Sequence, residues 1–149
     1  MRFTPEETKA HDGKCPKCGK PLVVGVDYRV SELAERPADY MPKNPKQVEY
    51  IIPLPEIIAE LKGVKSVSSK AVVDECEKLY AALGDEFSIL RKLPIDQIRA
   101  ASPQLGLAIE RLRNRDVVLD PGYDGVFGTI KVFKNEADRH ESLNQLSLF

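Results

Sequence analysis

The stretch 81–101, AALGDEFSILRKLPIDQIRAA, decides how this chain folds. Gly84 closes a helix arriving from upstream. Phe87, Ile89, Leu90 and Leu93 then make a short apolar helix that must stop before Pro94, because proline disfavours helical backbone in the residue preceding it. Ile95 and Ile98 anchor the next helix. Ser102 and Pro103 open another, since serine accepts from first-turn amides and proline suits the first helical position. Its apolar positions are Leu105, Leu107, Ala108, Ile109 and Leu112, and it ends near Asn114. Short helices joined by tight turns give a helix-loop-helix arrangement.

Working upstream, Ser68 or Ser69 caps a longer helix. Val72, Val73, Cys76, Leu79, Tyr80 and Leu83 repeat there with a period near 3.6. Pro55 opens a helix with Ile57, Ile58 and Leu61 inward and Gly63 as its stop. Tyr50, Ile51 and Ile52 are apolar and extended, and Pro53 limits them as a central strand. Residues 37–47 hold three prolines and read as an ordered surface connection. Asp27–Glu35 predicts a helix with Val26, Val30, Leu33 and Ala34 on one stripe, and Leu22–Val24 a short strand. Thr4, Pro5, Glu6 and Glu7 predict a capped helix running to Ala10. Downstream, Val117–Leu119 is strand-like and DPGYDG is turn chemistry. Val126–Phe133 alternates, predicting a small hairpin, and residues 135–144 are polar and expected to be exposed.

The expected fold class is therefore α+β and mostly helical. A zinc-knuckle-like module spans 1–36, a connection 37–54 and a helical region 55–116. A β-hairpin covers 117–134 and a flexible tail 135–149.

Three cysteines, Cys15, Cys18 and Cys76, make an odd count that argues against a disulfide framework. Cys15 and Cys18 sit in KCPKCGKPL. Cys-x-x-Cys followed by glycine is the shape of a zinc knuckle, whose tight turn lets two thiolates face one ion. Lys14, Lys17 and Lys20 surround the pair with positive charge, which favours metal-binding thiolates. A thioredoxin-like redox pair is the rival, but no strand precedes the motif in a βαβ pattern. The plain alternative is two unbound surface thiols. Structural zinc wants four ligands. His11 is a candidate third ligand, or simply a surface residue, and Cys76 fits a buried thiol better than a ligand.

The chain has 149 residues, 42% of them apolar and 30% charged, as in a folded globular protein. Twenty-two basic and 23 acidic residues leave a net charge of -1, which excludes a strongly basic tail but not a local basic patch. No apolar run reaches a membrane span's length, and MRFTPEETKAHDGK is too polar for a signal peptide, so we expect a cytoplasmic protein without membrane contact. The basic excess lies between Phe87 and Arg115: Arg91, Lys92, Arg99, Arg111, Arg113 and Arg115 against Asp96 and Glu110. Such helices can present cations and loop amides to DNA phosphates, or form a solvated basic face. Tyr123 has the chemistry to stack on a base or to pack on the core. Asp120 and Asp124 make a weak metal pair without a third ligand. With no P-loop and no base beside a nucleophile, the chain does not read as a self-sufficient enzyme.

Gln145-Leu146-Ser147-Leu148-Phe149 is the sharpest signal. A polar stretch ending in Leu and Phe suits a linear anchor, with Gln145 as hydrogen-bonding group and Leu146, Leu148 and Phe149 as pocket fillers. The alternative is a tail docking on its own core.

QLSLF resembles the peptide by which bacterial replication and repair proteins bind the β sliding clamp. CPKCGKPLVVGVDYRVSELAERP, IIPLPEIIAELKGV, GDEFSILRKLP and DPGYDGVFGTIKVF, in that order, resemble the C-terminal half of endonuclease Q, a PHP-domain DNA repair nuclease. The resemblance implies incision beside hypoxanthine or uracil, or at abasic sites, with zinc-binding and helical parts that grip DNA beside the catalytic domain. Cys15 and Cys18 match the second Cys-x-x-Cys of the family's zinc module. The PHP metal ligands and the first Cys-x-x-Cys have no counterpart here. We therefore expect a non-catalytic DNA-binding and clamp-recruitment part, working with a PHP catalytic domain on a longer or separate chain. The alternatives are a stand-alone metal nuclease using His11, Asp120 and Asp124, or a clamp-binding adaptor that does not touch DNA.

Overall fold

The computed structural model describes residues 2–37, 39–122 and 125–140. The fold is mostly helical α+β. Its elements run α1 (Pro5–Ala10), α2 (Val26–Leu33), α3 (Leu54–Lys62), α4 (Lys70–Leu83), a π-helical turn (Ser88–Lys92), α5 (Ile95–Ala101), α6 (Pro103–Arg113), β1 (Val118–Asp120) and β2 (Thr129–Lys131). A further helical turn covers residues 136–140. No helix among the described residues is long and apolar enough to cross a membrane. The described residues fall into two compact units, one within Met1–Gln47 plus Pro121–Gly128, the other within Val48–Asp120 plus Thr129–Phe149.

In the first unit, α1 begins as expected. The Thr4 hydroxyl accepts from the Glu7 amide, and the Glu7 carboxylate accepts from the Thr4 amide, a reciprocal capping box. Lys9 reaches α2 by donating to the Ser31 hydroxyl at 3.1 Å and sits over the Tyr28 ring. Two expectations need correction. Residues 22–24 form no strand; the chain there makes only an isolated bridge, Lys14 to Pro21. The α2 helix forms at Val26–Leu33, two residues short of the expected end at Glu35, and its Val26, Val30 and Leu33 are all exposed. The unit offers no apolar layer for them, and its one buried described residue is Thr8.

The second unit holds the hydrophobic core. Leu54 and Ile57 of α3, Val72 of α4, Ile89 of the π-helical turn, Ile98 of α5 and Ile109 of α6 are fully buried together. Cys76 is buried among them, and that burial pushes its thiol above the usual range. Val73 departs from expectation, being 42% exposed at the edge of the α4 stripe. Glu86 sends its carboxylate to the Leu54 amide at 2.7 Å, satisfying the start of α3 from a distant segment. Gly63 ends α3 in the left-handed region, φ 67°, where a side chain would be strained.

The segment after Gly84 winds more widely than an α-helix: the Leu93 amide donates to the Ser88 carbonyl, five residues back. Asp85 starts it by accepting from both the amide and the hydroxyl of Ser88. α5 and α6 then pack at close range. A Cβ at Gly106 would lie 3.0 Å from the Arg99 Cα and 3.1 Å from its amide nitrogen, so only glycine admits this approach.

β1 and β2 form the expected hairpin, antiparallel, with Leu119 opposite Ile130. Its second strand is shorter than the alternation suggested. Val132 and Phe133 are both buried rather than alternating, because the Glu60 carboxylate accepts from both of their amides, at 2.9 and 2.8 Å. Polar residues 135–140 also differ from expectation. Part of this segment is helical, and Asp138 and Arg139 are half-buried against α6 and α3. Residues 141–144 lie outside the described residues.

Candidate nucleic-acid interface

The six cations singled out between Phe87 and Arg115 separate into distinct roles. Arg113, in the last turn of α6, is committed to the backbone. Its guanidinium donates to the carbonyls of Ile89 (3.0 Å), Leu90 (3.0 Å) and Leu93 (2.7 Å). These carbonyls belong to the π-helical turn and its exit, where helical partners run out. Burial draws the guanidinium below its usual range, and the Glu49 charge partly offsets this.

Arg111 is committed too. It meets Asp138 through two parallel contacts of 3.1 and 3.2 Å, donates to the Val132 carbonyl and lies over the Phe133 ring. Asp138 raises its pKa above the ordinary arginine value. Arg99 pairs with Glu110 of α6 and, at 3.7 Å, with Asp96.

Arg91, Lys92 and Arg115 are exposed. Arg91 pairs with Glu49, whose carboxyl it holds below the usual carboxylate range. Lys92 forms no ion pair among the described residues. Arg115 lies over the Tyr50 ring, 5.0 Å from its centroid, and donates to the Val48 carbonyl at 3.2 Å. Between them runs a groove of about 260 Å³, with Ile51, Leu90 and Leu112 as apolar lining and Glu49, Arg91, Arg113 and Arg115 as charged lining. The sequence did not mark Glu49 or Tyr50 as site residues. Their signal was an extended charged–aromatic stretch next to the helical region, and nothing in its periodicity announced which helix it would meet.

In the other unit, Cys15 and Cys18 lie in one tight turn. The Gly19 amide donates to the Cys15 carbonyl at 2.7 Å, the Cys15 amide donates to the Lys20 carbonyl at 2.8 Å, and Gly19 takes φ 70°. The Lys17 and Cys18 backbone amides point at the Cys15 sulfur and lower its pKa, as does the Cys18 thiol. His11 caps α1 and rests against the Phe3 ring at 5.2 Å. No three His, Cys, Asp or Glu side chains come together as a metal-holding group among the described residues. Tyr123, Gln145, Leu146, Leu148 and Phe149 lie outside the described residues.

The fold and site define a small, mostly helical α+β module that carries a groove edged by arginines. Residues 53–116 match the family model described as the MJ0043 C-terminal domain. Over 129 residues the chain is 33% identical to the uncharacterized protein MJ0043 of Methanocaldococcus jannaschii, spanning 87% of this chain and 16% of that one. The particular protein it resembles in three dimensions is endonuclease Q. The crystal structure of the lesion-specific endonuclease from Pyrococcus furiosus matches 97% of this chain with a TM-score of 0.75 and 32% identity. A second endonuclease Q structure, in complex with a 27-mer duplex substrate carrying an abasic lesion at the active site, matches 90% with a TM-score of 0.68. The chain spans 36% and 33% of those two chains. The resemblance to endonuclease Q therefore holds along nearly the whole sequence, and the fold is shared with part of a lesion-specific endonuclease.

The committed role of Arg113 can be checked directly. Arg113→Ala leaves buried carbonyls without donors and should lower unfolding free energy by about 1–3 kcal/mol. Arg113→Lys should recover only part of that loss, because a single ammonium lacks the planar fork. Chemical denaturation measures both; an unchanged midpoint in Arg113→Ala would remove the structural role.

Proposed function

We propose that this chain is the non-catalytic DNA-binding and clamp-recruitment part of an endonuclease Q-like enzyme that incises DNA at deaminated bases (hypoxanthine, uracil) or abasic sites. The observation that carries the reading is the match to a lesion-specific endonuclease along 97% of the chain. One such relative holds duplex DNA. Incision is assigned to a PHP catalytic domain, on a longer or separate chain. The DNA-contacting set is Arg91, Lys92, Arg99 and Arg115, with Tyr123 as a stacking candidate. Arg113 lines the same groove, while Arg111, engaged by Asp138, adds its charge to the region.

DNA binding by this set depends on counterion release, so it must weaken with salt. Titration of duplex DNA at increasing NaCl should give a log–log slope of about −2.7 to −3.6 for three to four neutralised phosphates. Absent or salt-independent binding would sink this reading.

Cys15 and Cys18 would hold a structural zinc ion, with His11 as a candidate third ligand. The fit rests on the tight turn and on the amides aimed at the Cys15 sulfur. A unit with so little buried apolar surface also has the most to gain from a metal cross-link. Zinc would organise the turn and take no part in chemistry. Replacing it with cobalt should give thiolate-to-metal absorption that Cys18→Ser abolishes; a spectrum identical in both proteins contradicts the site.

Gln145, Leu146, Leu148 and Phe149 would dock in an apolar pocket of the β sliding clamp. The support is the motif itself, a hydrogen-bonding amide followed by apolar pocket fillers. Clamp affinity in the micromolar range, near −8 kcal/mol, should vanish in Leu148→Ala/Phe149→Ala. Retained binding in that double variant would refute the tail's role.

A further inference from the structure

The residue that ends α6 is the wrong one for its backbone. The Asp116 amide donates to the Arg111 carbonyl at 2.9 Å and the Arg115 amide to the Leu112 carbonyl at 3.0 Å. This paired closure leaves Arg115 at φ 60°, in the left-handed region. Glycine is the residue such a helix ending favours, since a Cβ is strained there. An arginine at a strained position points to a use for its side chain.

That side chain edges the groove. Arg115 gives one donor to the Val48 carbonyl and one guanidinium face to Tyr50, and forms no ion pair among the described residues. A guanidinium carries five N–H donors, so most of its capacity is left for an incoming group. Arg91, on the same groove, is held by Glu49 alone among the described residues. Their side chains are 43% and 53% exposed, so this is a surface pair with little net worth, easily exchanged for another anion. Arg113 also lines the groove, with three of its five donors spent on carbonyls, and adds positive charge there. Three arginines thus face one glutamate.

We propose that this groove is a phosphodiester-binding site for DNA in which Glu49 is a built-in competitor, occupying Arg91 until a backbone phosphate displaces it. The proposal rests on the DNA-binding reading above and adds its position and its control. A phosphate suits the site better than a second carboxylate, because its oxygens can be shared between two guanidiniums lining the groove while the flanking sugar lies against Ile51 and the exposed Tyr50 ring. Because the Arg91–Glu49 pair is exposed, displacing Glu49 costs little, and the carboxylate lowers phosphate affinity without blocking it. Lys92, exposed and next to Arg91 in the chain, would meet the adjoining phosphate.

The test is fluorescence anisotropy of the whole chain on a labelled duplex across a series of NaCl concentrations. Glu49→Gln should bind about 3- to 10-fold more tightly at low salt and steepen the log–log slope by about one, as one more phosphate contact forms unopposed. Arg115→Gly should weaken binding by a similar factor and flatten the slope by about one. Its thermal midpoint should not fall in proportion, because glycine relieves the left-handed strain while the tether to Val48 is lost. Salt-sensitive binding by the wild type that neither variant alters overturns this inference and leaves the DNA-binding reading standing. No binding by the wild type overturns both. Displacement of DNA by poly-glutamate at equal charge concentration would assign the groove to an acidic protein partner and overturn the proposal as well.

Discussion

Everything at the candidate interface depends on the Arg113 guanidinium meeting the carbonyls of Ile89, Leu90 and Leu93. A π-helical turn leaves its carbonyls poorly served by its own amides. Without an external donor, Ile89 and Leu90 would be buried with unsatisfied acceptors. Arg113 removes that penalty and, in doing so, fixes the turn against the end of α6. The groove exists because these two segments are held in register and Val48–Ile51 lies along both. One cation is thus spent on architecture so that its neighbours Arg91 and Arg115 can stand at the surface.

The helices of the second unit were legible because their signals were local. Proline at helix starts, Gly63 and Gly84 at helix ends and the 3.6-residue stripe of α4 each follow from the chemistry of single positions. The wide turn at Ser88–Lys92 was not legible, since apolar spacing over five residues does not distinguish an α-helix from a π-helix. The docking of Val132 and Phe133 was hidden for another reason. It depends on Glu60, more than seventy residues away, whose carboxylate takes both amides. In the first unit, the apolar positions of α2 match a helical stripe but meet no apolar layer, so amphipathic spacing overstated their burial.

The candidate site shows the same division. Composition placed the basic excess between Phe87 and Arg115, and the structure keeps Arg91, Lys92 and Arg115 exposed. It could not sort these from Arg111, which needs Asp138, or from Arg113, which needs three carbonyls. Charge counts see side chains and not the acceptors that long-range folding brings to them. Glu49 and Tyr50 went unmarked because their meaning lies in which arginines they touch. The near-neutral net charge has the same origin: acids such as Glu49, Glu110 and Asp138 are set against individual arginines.

Engagement of DNA at the C-terminal end of α6 and the segment beside it is tested by amide hydrogen exchange with and without a duplex carrying an abasic site. Slowed exchange should concentrate at Val48–Ile51, Arg91–Lys92 and Arg115–Asp116, with α3 and α4 unchanged. Protection confined to the Cys15–Cys18 turn and α2, with none along the groove, would contradict it.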